Sequence, residues 1–368
     1  MKRRAGRATA EGTAEFARHG TTERHLPTDH FREAPGGLTL SSFGLGTYLG
    51  RSDGATDLAV EQSVALCLAS GRVNVFDTAI NYRNQRAERS LGRALARADS
   101  DGKFGREATF VATKNGYLAP DAEAGVSGEE WIRRELLKPG VLRPSDIVDG
   151  SHAMSRTFLQ DQFDRSRDNL GLAAIDLVYL HNAADAQLPV VGREMFLARL
   201  EEAFTLYESL RDKGELGSYG LATWDCLRLP RSEPGHFALE DLVRVAQKVG
   251  GDDHGLAFVQ FPFNLLMPEA ASLRTQPVEG ARMTVFEAAK RLSLGTFTSV
   301  PLLQGRLAVE GPASGDLTAA QTALQFARSA PGTIGPVVGQ KMPEHLAENL
   351  RLAESRPWAG PEFAALLT

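Results

Sequence analysis

Short apolar strand patterns alternate with helical patterns from Leu38 to the end of the chain, and this alternation restricts the possible folds more than any other feature. The strand segments are rich in β-branched and aromatic residues and are apolar on both faces, which is typical of parallel strands covered by helices. Eight strand–helix units in 368 residues predict a closed (β/α)8 TIM barrel of the α/β class. An open doubly wound sheet is the alternative, and it is disfavoured because no G-x-G-x-x-G turn follows the first strand.

The same pattern predicts where the individual elements lie. The first barrel strand ends at Gly46 and Thr47, after a short N-terminal hairpin that begins at Leu38. The later strands are RVNVF, ATFVAT, IDLVYL, GSYGLA, GLAFVQF, TFTSV and TIGPVVG. The helices are expected at residues 59–70, 86–96, 156–170, 193–213, 239–249, 278–292 and 318–329, with a closing helix from Pro343.

The chain is predicted to divide into an extension and one barrel. Residues 1–36 are charged and contain one possible short helix near Thr9–Arg18. We expect this extension to lie on the surface or to be partly disordered. Residues 37–368 are predicted to form a single catalytic barrel.

A long insertion interrupts the barrel between the third strand and its helix, from Asn115 to about Ser155. It contains EEWIRRELLKPGVL, which predicts a separate helix over residues 128–137. Loops of this length are usually functional or disordered, and this one leaves the predicted catalytic end of the barrel. We therefore expect it to wall a substrate pocket, with Tyr117 and Trp131 as candidate lining residues. Alternatively, Trp131 only anchors the insertion to the barrel.

Composition and charge narrow the function classes. A net charge of −5 argues against a nucleic-acid or anionic-membrane partner, which would favour a basic face. The two cysteines, Cys67 and Cys226, match no metal-binding spacing, so no metal site is predicted and reduced thiols are expected. The first residues lack the apolar region of a secretory signal, and no apolar run is long enough for a membrane helix. The sequence therefore predicts a soluble cytoplasmic protein, either a monomer or a weak homo-oligomer.

Four ionisable side chains follow the ends of three neighbouring predicted strands. Asp77 ends the second strand and Tyr82 lies just beyond it, while Lys114 ends the third strand and His181 the fourth. The carboxyl ends of barrel strands share one rim, so we expect these side chains to meet. Each alone is more often structural, but four together indicate a site.

The chemistry that such a set supports is proton transfer by a phenol. A free tyrosine is a poor acid at neutral pH, and the ammonium of Lys114 is expected to lower the pKa of Tyr82 towards that pH. Asp77 would pair with Lys114, and His181 would orient a carbonyl oxygen. A hydride for the carbonyl carbon must come from a cofactor, because no side chain supplies one.

The segments that carry these residues are similar to motifs of the aldo-keto reductase superfamily. FDTAINY resembles the family's second-strand motif, FVATK its lysine strand and IDLVYLH its histidine strand. The similarity runs from about Leu38 to Leu350. It implies that Asp77, Tyr82, Lys114 and His181 form the catalytic tetrad, with Tyr82 as general acid/base. It also implies a barrel that binds a nicotinamide cofactor, usually NADPH, without a Rossmann domain.

The resemblance implies cofactor-binding positions as well. Gly46 and Thr47 match the glycine-rich end of the family's first strand, near the nicotinamide, and Gln260 matches the glutamine that binds the carboxamide. The segment Gly305–Asp316 resembles the loop that folds over the pyrophosphate. The implied cofactor positions are Gly46, Thr47, Asp77, Thr223, Gln260, Ser299, Pro301, Leu302, Gly305, Gln340, Lys341, His345, Glu348 and Asn349.

The segment GQKMPEHLAENL resembles the family's adenosine-phosphate segment. The resemblance implies that Gln340 and Lys341 face the 2′-phosphate at the start of a helix, a position that favours anions. It implies that Glu348 and Asn349 reach the adenine. Without the resemblance, these two residues would read equally well as an exposed helix face.

Three positions depart from the family pattern. Thr223 stands alone where the family commonly has a Ser-Asn pair, and Ser299 replaces an aromatic ring that stacks on the nicotinamide. His345 replaces an arginine of several NADPH-specific members, and a neutral histidine is a poorer phosphate partner than arginine. NADP(H) is still favoured because Lys341 is available, and NAD is the alternative.

The predicted function is therefore an NAD(P)-dependent oxidoreductase that interconverts an aldehyde or ketone and the corresponding alcohol. Tyr48 and Trp224 join Tyr117 and Trp131 as predicted substrate-pocket residues. A sugar or lactol dehydrogenase working in the oxidative direction would use the same residues. A slow nucleotide-sensing regulatory subunit is a third possibility, although the complete set of four catalytic residues argues against it.

Overall fold

Eight parallel strands close into a barrel in the computed structural model, which describes residues 3–100 and 105–367. The strands of these ranges are β1 (Phe31–Ala34), β2 (Leu38–Ser41), β3 (Gly44–Gly46), β4 (Val75–Asp77), β5 (Phe110–Asn115), β6 (Ile175–His181), β7 (Leu216–Ala222), β8 (Leu256–Pro262), β9 (Gln276–Val278), β10 (Ala281–Met283), β11 (Gly295–Ser299) and β12 (Thr333–Gly339). The barrel order is β3-β4-β5-β6-β7-β8-β11-β12, with β12 pairing back to β3. The predicted (β/α)8 barrel is confirmed.

Helices surround the barrel and cover the loops at its ends. They are α1 (Ala10–Glu23), α2 (Gly54–Ser70), α3 (Arg86–Ser100), α4 (Gly128–Ile132), α5 (Arg156–Leu170), α6 (Ala183–Val191), α7 (Arg193–Asp212), α8 (Leu239–Gly250), α9 (Glu269–Ser272), α10 (Val285–Arg291), α11 (Arg306–Glu310), α12 (Ala319–Arg328), α13 (Pro343–Leu350) and α14 (Gly360–Ala364). The helix α4 continues with π-type winding over Arg133–Leu137. In the described ranges, no helix combines the length and apolar character needed to span a membrane.

Aromatic rings fill the inside of the barrel. Phe110 lies 5.4 Å from Phe258 and 6.1 Å from Phe297 between ring centroids, and all three rings are at most 1% exposed. Every residue of β4, β5 and β6 is buried, because these strands face this inner layer on one side and the helices on the other. The interior is therefore packed, and ligand access is left to the ends of the barrel.

The segment before the barrel packs onto the barrel's N-terminal end. Phe16 of α1 is fully buried and lies 6.1 Å from Phe31 between ring centroids. The strands β1 and β2 form the predicted hairpin, but it begins at Phe31 instead of Leu38, so its first strand lies inside the segment assigned to the extension. This segment is thus ordered and packed on the barrel over its described residues. The division of the chain at residue 36 remains a prediction.

One predicted helix is replaced in part by a hairpin. Residues 278–292 are predicted as a single helix, whereas β9 and β10 pair through a turn at Glu279 and Gly280, both with positive φ of 50° and 79°. Two such residues in succession favour a tight hairpin turn over a helix. The helix α10 then starts after Thr284, whose side chain forms a capping box with Glu287.

Candidate active site

A buried ion pair forms the base of the site at the C-terminal end of the barrel. Lys114, in β5, donates from Nζ to Oδ1 of Asp77 at the end of β4, and also to the carbonyl of Thr78 at 2.9 Å. The two paired side chains are only 1% and 5% exposed. Gln260 in β8 donates from Nε2 to the other Asp77 oxygen at 2.9 Å. Asp77 is thus held by two strands besides its own.

Tyr82 lies directly above this pair. Its ring centroid is 4.8 Å from Lys114 Nζ and 5.6 Å from the His181 ring centroid, at an interplanar angle of 75°. Tyr48 packs edge-on against it at 4.9 Å between centroids. The four residues expected at neighbouring strand ends, Asp77, Tyr82, Lys114 and His181, are therefore together.

A tight turn without glycine presents Tyr82 to the site. Arg83, Asn84 and Gln85 follow it with φ values of 50°, 52° and 73°. Left-handed backbone costs non-glycine residues on the order of 1 kcal/mol each, so other contacts must hold the turn. Arg83 forms a buried ion pair with Asp57 at 2.5 Å, and Gln85 donates to the carbonyl of Ala119 at 2.9 Å. These contacts anchor both sides of the turn.

The electrostatics of Tyr82 differ from the sequence expectation. Burial raises the pKa of the Tyr82 phenol, and the charge of Lys114 lowers it, but burial has the larger effect and the net pKa is above its ordinary value. The expectation that Lys114 brings this pKa down towards neutrality is therefore wrong for the protein without ligand. The phenol keeps its proton at neutral pH and is available as an acid.

Lys114 and His181 differ in protonation within the same site. Burial disfavours the Lys114 ammonium, but Asp77 and Tyr82 together outweigh it and raise the lysine pKa. Burial lowers the pKa of His181 well below its ordinary value, and Lys114 and His152 lower it further. The site thus contains a charged lysine and a neutral histidine.

A cleft of about 740 Å³ opens above these residues and runs along the barrel rim to α13. The predicted site residues that line it are Gly46, Thr47, Tyr48, Asp77, Tyr82, Tyr117, His181, Thr223, Trp224, Gln260, Ser299, Pro301, Leu302, Gly305, Gln340, Lys341, His345, Glu348 and Asn349. Lys114 lies beneath the cleft and does not line it. The sequence expectation thus placed nearly all of its candidates on one surface.

Trp131 also does not line the cleft, and unlike Lys114 it lies away from the site. Its side chain is buried in the main core, only 3% of it is exposed, and it does not line the cleft. The guanidinium of Arg165, on α5, lies 5.0 Å from the ring centroid. The prediction that Trp131 lines the substrate pocket is therefore corrected, and the alternative of an anchor between insertion and barrel fits its contacts.

The two ends of the insertion bind each other beside His181. Leu118 N donates to the Ser151 carbonyl at 2.7 Å, and Ala153 N donates to the Gly116 carbonyl at 2.9 Å. Between these bonds, Tyr117 faces His181 at 5.1 Å between ring centroids and at an angle of 90°. This closed stem places Tyr117 in the cleft wall.

The stem is also bonded to the end of β6. His152 Nε2 lies 3.0 Å from the carbonyl oxygen of His181, and His152 Nδ1 lies 3.0 Å from Nε2 of Gln187. Burial lowers the pKa of His152 to about 4, so the ring is neutral. Since the Gln187 amide donates to Nδ1, His152 Nε2 carries the proton and donates to the His181 carbonyl.

Sequence reasoning missed several residues of the cleft wall. Asn81 and Asn182 line the cleft, and Asn81 lies next to the ring of His181. Both adjoin predicted catalytic residues in the chain, Tyr82 and His181, and this adjacency is the signal that could have indicated them. Gln304 also lines the cleft, and its φ of 56° is not readable from the sequence.

The end of β11 is unusual in its backbone. Val300 has a φ of 48°, which is rare for a β-branched residue. Asn264 Nδ2 donates to the Val300 carbonyl at 3.0 Å and so fixes this peptide. Such backbone positions concentrate at ligand sites. Ser299 and Pro301, on either side, both line the cleft.

The far end of the cleft contains buried polar atoms without partners. Gln340 is 4% exposed, and neither its amide oxygen nor its amide nitrogen has a hydrogen-bond partner. The Asn349 side-chain oxygen is likewise buried and unpaired. Buried polar groups are normally satisfied, so this end of the cleft is suited to a polar ligand. Lys341 lies beside them, half-buried, and forms no ion pair within the described ranges.

The described residues were also compared with the side-chain clusters that bind metal ions. Among the residues described, no group of three or more histidine, cysteine, aspartate or glutamate side chains is arranged to hold a metal ion. Cys67 and Cys226 are both buried and free.

Comparison with known proteins points to one family. A family model described as "Aldo/keto reductase family" matches residues 42–231, which is just over half of the chain. No curated protein matches the chain in sequence.

Solved structures share the fold over nearly the full chain. An aldo/keto reductase from Klebsiella pneumoniae, in complex with NADP and acetate, is 17% identical with a TM-score of 0.60, and the match covers 92% of this chain and 94% of that one. The holo form of an aldo-keto reductase from Bacillus halodurans is 17% identical with a TM-score of 0.60, over 91% of this chain and 94% of that one. A Klebsiella pneumoniae aldo-keto reductase in complex with NADPH is 18% identical with a TM-score of 0.57, over 92% and 94%.

Proposed function

Because this chain belongs to the aldo/keto reductase family of oxidoreductases, we propose that it interconverts an aldehyde or ketone and the corresponding alcohol with a nicotinamide cofactor. One observation carries the proposal. The protonated phenol of Tyr82 lies on the cleft surface, above the buried Lys114–Asp77 pair and beside the neutral ring of His181. Tyr82 is the acid, Lys114 is the charge that stabilises its conjugate base, and the ring of His181 contacts it.

The proton step follows from these three groups. Tyr82 donates its proton to the carbonyl oxygen as negative charge develops there. Lys114 remains charged and stabilises the phenolate that is left. Asp77 holds Lys114 in place through the ion pair, and His181 hydrogen-bonds the reacting oxygen. In the reverse direction the phenolate accepts the proton from the alcohol.

The cleft residues fit a nicotinamide dinucleotide. The cofactor, when bound, supplies or accepts the hydride. Gly46, Thr47 and Gln260 would hold its nicotinamide end, beside the tetrad. Gln340 and Asn349 would hold its adenosine end, where their unpaired amide atoms need polar partners.

We propose NADP(H) as the preferred cofactor. Lys341 supports this preference because it is a cation with no ion pair to any described residue, at the adenosine end of the cleft and close to the start of α13. Two structural relatives were solved with NADP or NADPH. NAD(H) is the alternative, since His345 is a weaker phosphate partner than an arginine.

The walls of the substrate end favour an uncharged substrate. Tyr48, Tyr117 and Trp224 contribute rings, and Asn81 and Asn182 contribute amides. No arginine lines the cleft among the described residues, and its one lysine, Lys341, lies at the other end. A carboxylate or phosphate on the substrate would therefore lack a cation to pair with.

A second candidate is a sugar or lactol dehydrogenase in the oxidative direction. The observation that favours it is the combination of aromatic rings and side-chain amides around Tyr82, because rings pack on the apolar face of a sugar and amides bond its hydroxyls. The same tetrad serves both candidates, so turnover of matched carbonyl and alcohol panels separates them.

The first experiment is a fluorescence titration of the protein with NADPH and with NADH. We expect binding of both, with NADPH tighter. Turnover is then measured on a panel of neutral aldehydes, ketones and sugars. Tight binding of the cofactor without turnover of any of these compounds would favour the nucleotide-sensing regulator instead.

The mechanistic test is Tyr82→Phe. We expect kcat to fall by about 10²–10⁴, the usual contribution of a general acid, while the dissociation constant of the cofactor changes little. Tyr48→Phe is the comparison variant, because it removes the hydroxyl of the ring next to Tyr82 and should lower kcat by less than about tenfold. Normal turnover in Tyr82→Phe would refute the proposed acid.

A further inference from the structure

We propose that Asn81 is a positioning residue that sets the tautomer of the neutral His181 ring, and thereby whether its free nitrogen donates or accepts a hydrogen bond in the cleft. This inference rests on the proposed function, because it concerns how His181 contacts the reacting oxygen. It assigns a role to a residue of the turn between Asp77 and Tyr82.

The contact is direct and specific. Asn81 Oδ1 lies 3.2 Å from Nδ1 of His181. Asn81 is the sole hydrogen-bond partner of this nitrogen among the residues described, and its side-chain amide makes no other hydrogen bond there. His181 Nε2 has no hydrogen-bond partner within the described ranges, so it is the nitrogen left for a ligand in the cleft.

The other neighbours of the ring do not determine its tautomer. Tyr82 and Tyr117 face it with their rings, at 5.6 Å and 5.1 Å between centroids. His152 bonds the backbone carbonyl of His181, and Lys114 acts on the ring through its charge. These groups hold the ring in place and keep it neutral. The choice between Nδ1–H and Nε2–H is left to Asn81.

The two tautomers present different groups to a ligand. With the Asn81 oxygen towards Nδ1, the proton sits on Nδ1, and Nε2 is an acceptor that suits the hydroxyl of an alcohol. With the amide turned by 180°, its NH2 donates to Nδ1, the proton sits on Nε2, and Nε2 donates to a carbonyl oxygen. An asparagine fits both arrangements at the same distance. Its amide orientation therefore lets His181 Nε2 donate to the carbonyl in one arrangement and accept from the alcohol in the other.

Two substitutions separate this role from simple packing. Asn81→Asp retains the shape but only accepts, so it favours Nδ1–H and the acceptor form of Nε2. Asn81→Leu retains the approximate volume and removes both hydrogen-bonding options. Thermal unfolding checks that both variants fold.

The direct test is nitrogen NMR of the protein labelled with [15N]histidine, with His181→Gln to assign the signals. Asn81→Asp should show His181 as the Nδ1–H tautomer and shift its titration upwards by about one pH unit or more, because a carboxylate then faces the ring. Asn81→Leu should show a changed tautomer ratio relative to the natural protein. Identical His181 signals in the natural protein and in Asn81→Leu would overturn the proposal.

The kinetic test compares carbonyl and alcohol. Asn81→Asp should raise the KM of the carbonyl substrate by about tenfold, the usual effect of one lost hydrogen bond, and leave the KM of the alcohol nearly unchanged. Asn81→Leu should affect both similarly. Equal effects of Asn81→Asp on the two substrates would overturn the proposal. If the natural protein turned over neither substrate, the proposed function would fail, and the NMR comparison would still decide whether Asn81 sets the tautomer.

Discussion

Replacing Lys114 by methionine should destabilise the protein strongly, apart from its effect on catalysis. The substitution retains a long apolar stem and removes only the ammonium. Asp77 is then left 5% exposed with one remaining side-chain donor, Gln260, at 2.9 Å. Removing one partner of a buried ion pair typically costs about 3–5 kcal/mol, because the other charge stays buried and uncompensated. That is a large part of a total stability of about 5–15 kcal/mol.

The assay is urea unfolding of the purified variants, followed by circular dichroism. Lys114→Met combined with Asp77→Asn removes both charges and should recover stability to within about 1–2 kcal/mol of the natural protein. The matched control is the surface pair Arg306–Glu310, which has the same type of contact at 2.7 Å but side chains that are 62% exposed. Arg306→Met should cost less than about 0.5 kcal/mol.

Two results would refute this reasoning. If Lys114→Met unfolded at the same urea concentration as the natural protein, the unpaired carboxylate of Asp77 would not destabilise the fold. If the double variant were as unstable as Lys114→Met alone, the loss would come from packing and not from the stranded carboxylate.

Three further predictions test other parts of the structure. Burial lowers the pKa values of His30 and His152 to about 3 and about 4. The unfolded chain, with ordinary histidine pKa values near ~6.5, therefore binds protons that the folded protein does not. The free energy of unfolding should fall as the pH drops from about 6.5 towards 4, by up to about 1.4 kcal/mol per pH unit for each histidine, and an unchanged slope of urea stability in His30→Gln would contradict this. Lys341→Ala should weaken NADPH by about tenfold and NADH much less in a fluorescence titration, and an equal effect on both would exclude its phosphate role. Trp131→Ala should cost about 3–5 kcal/mol of stability at an unchanged KM, whereas a raised KM at unchanged stability would return Trp131 to the pocket wall.

The candidate site residues at the barrel rim were predictable because the strand pattern and the residue types both indicate the same place. Asp77 and His181 end apolar strands, Lys114 is the last residue but one of another, and parallel strands bring their carboxyl ends together. The position of each element needs only the hydrophobic pattern, which depends on residues close in sequence. The assembly of the site then follows from the barrel itself.

Other features depend on contacts that no local pattern reports. The depth of burial around Tyr82 reverses the expected direction of its pKa shift, and burial is a property of the whole fold. Trp131 lies in the core, where Arg165 of α5 packs against its ring, and no pattern around residue 131 reports this contact. The left-handed residues Arg83 and Gln304 are neither glycine nor asparagine, so their conformations are set by tertiary contacts.

The closed stem of the insertion fixes one residue of the cleft wall, Tyr117, separately from the rest of the insertion. The hydrogen bonds of Leu118 with Ser151 and of Ala153 with Gly116 fix Tyr117 before the rest of the insertion begins. The segment 119–150 lies beyond this stem, and none of its residues lines the cleft. That segment has anchors of its own, because Trp131 is buried in the core and the Ala119 carbonyl accepts from Gln85 in the turn that presents Tyr82. The insertion therefore has two separate attachments: the stem positions the ring beside His181, and the outer segment is tied to the core and to the turn that presents Tyr82.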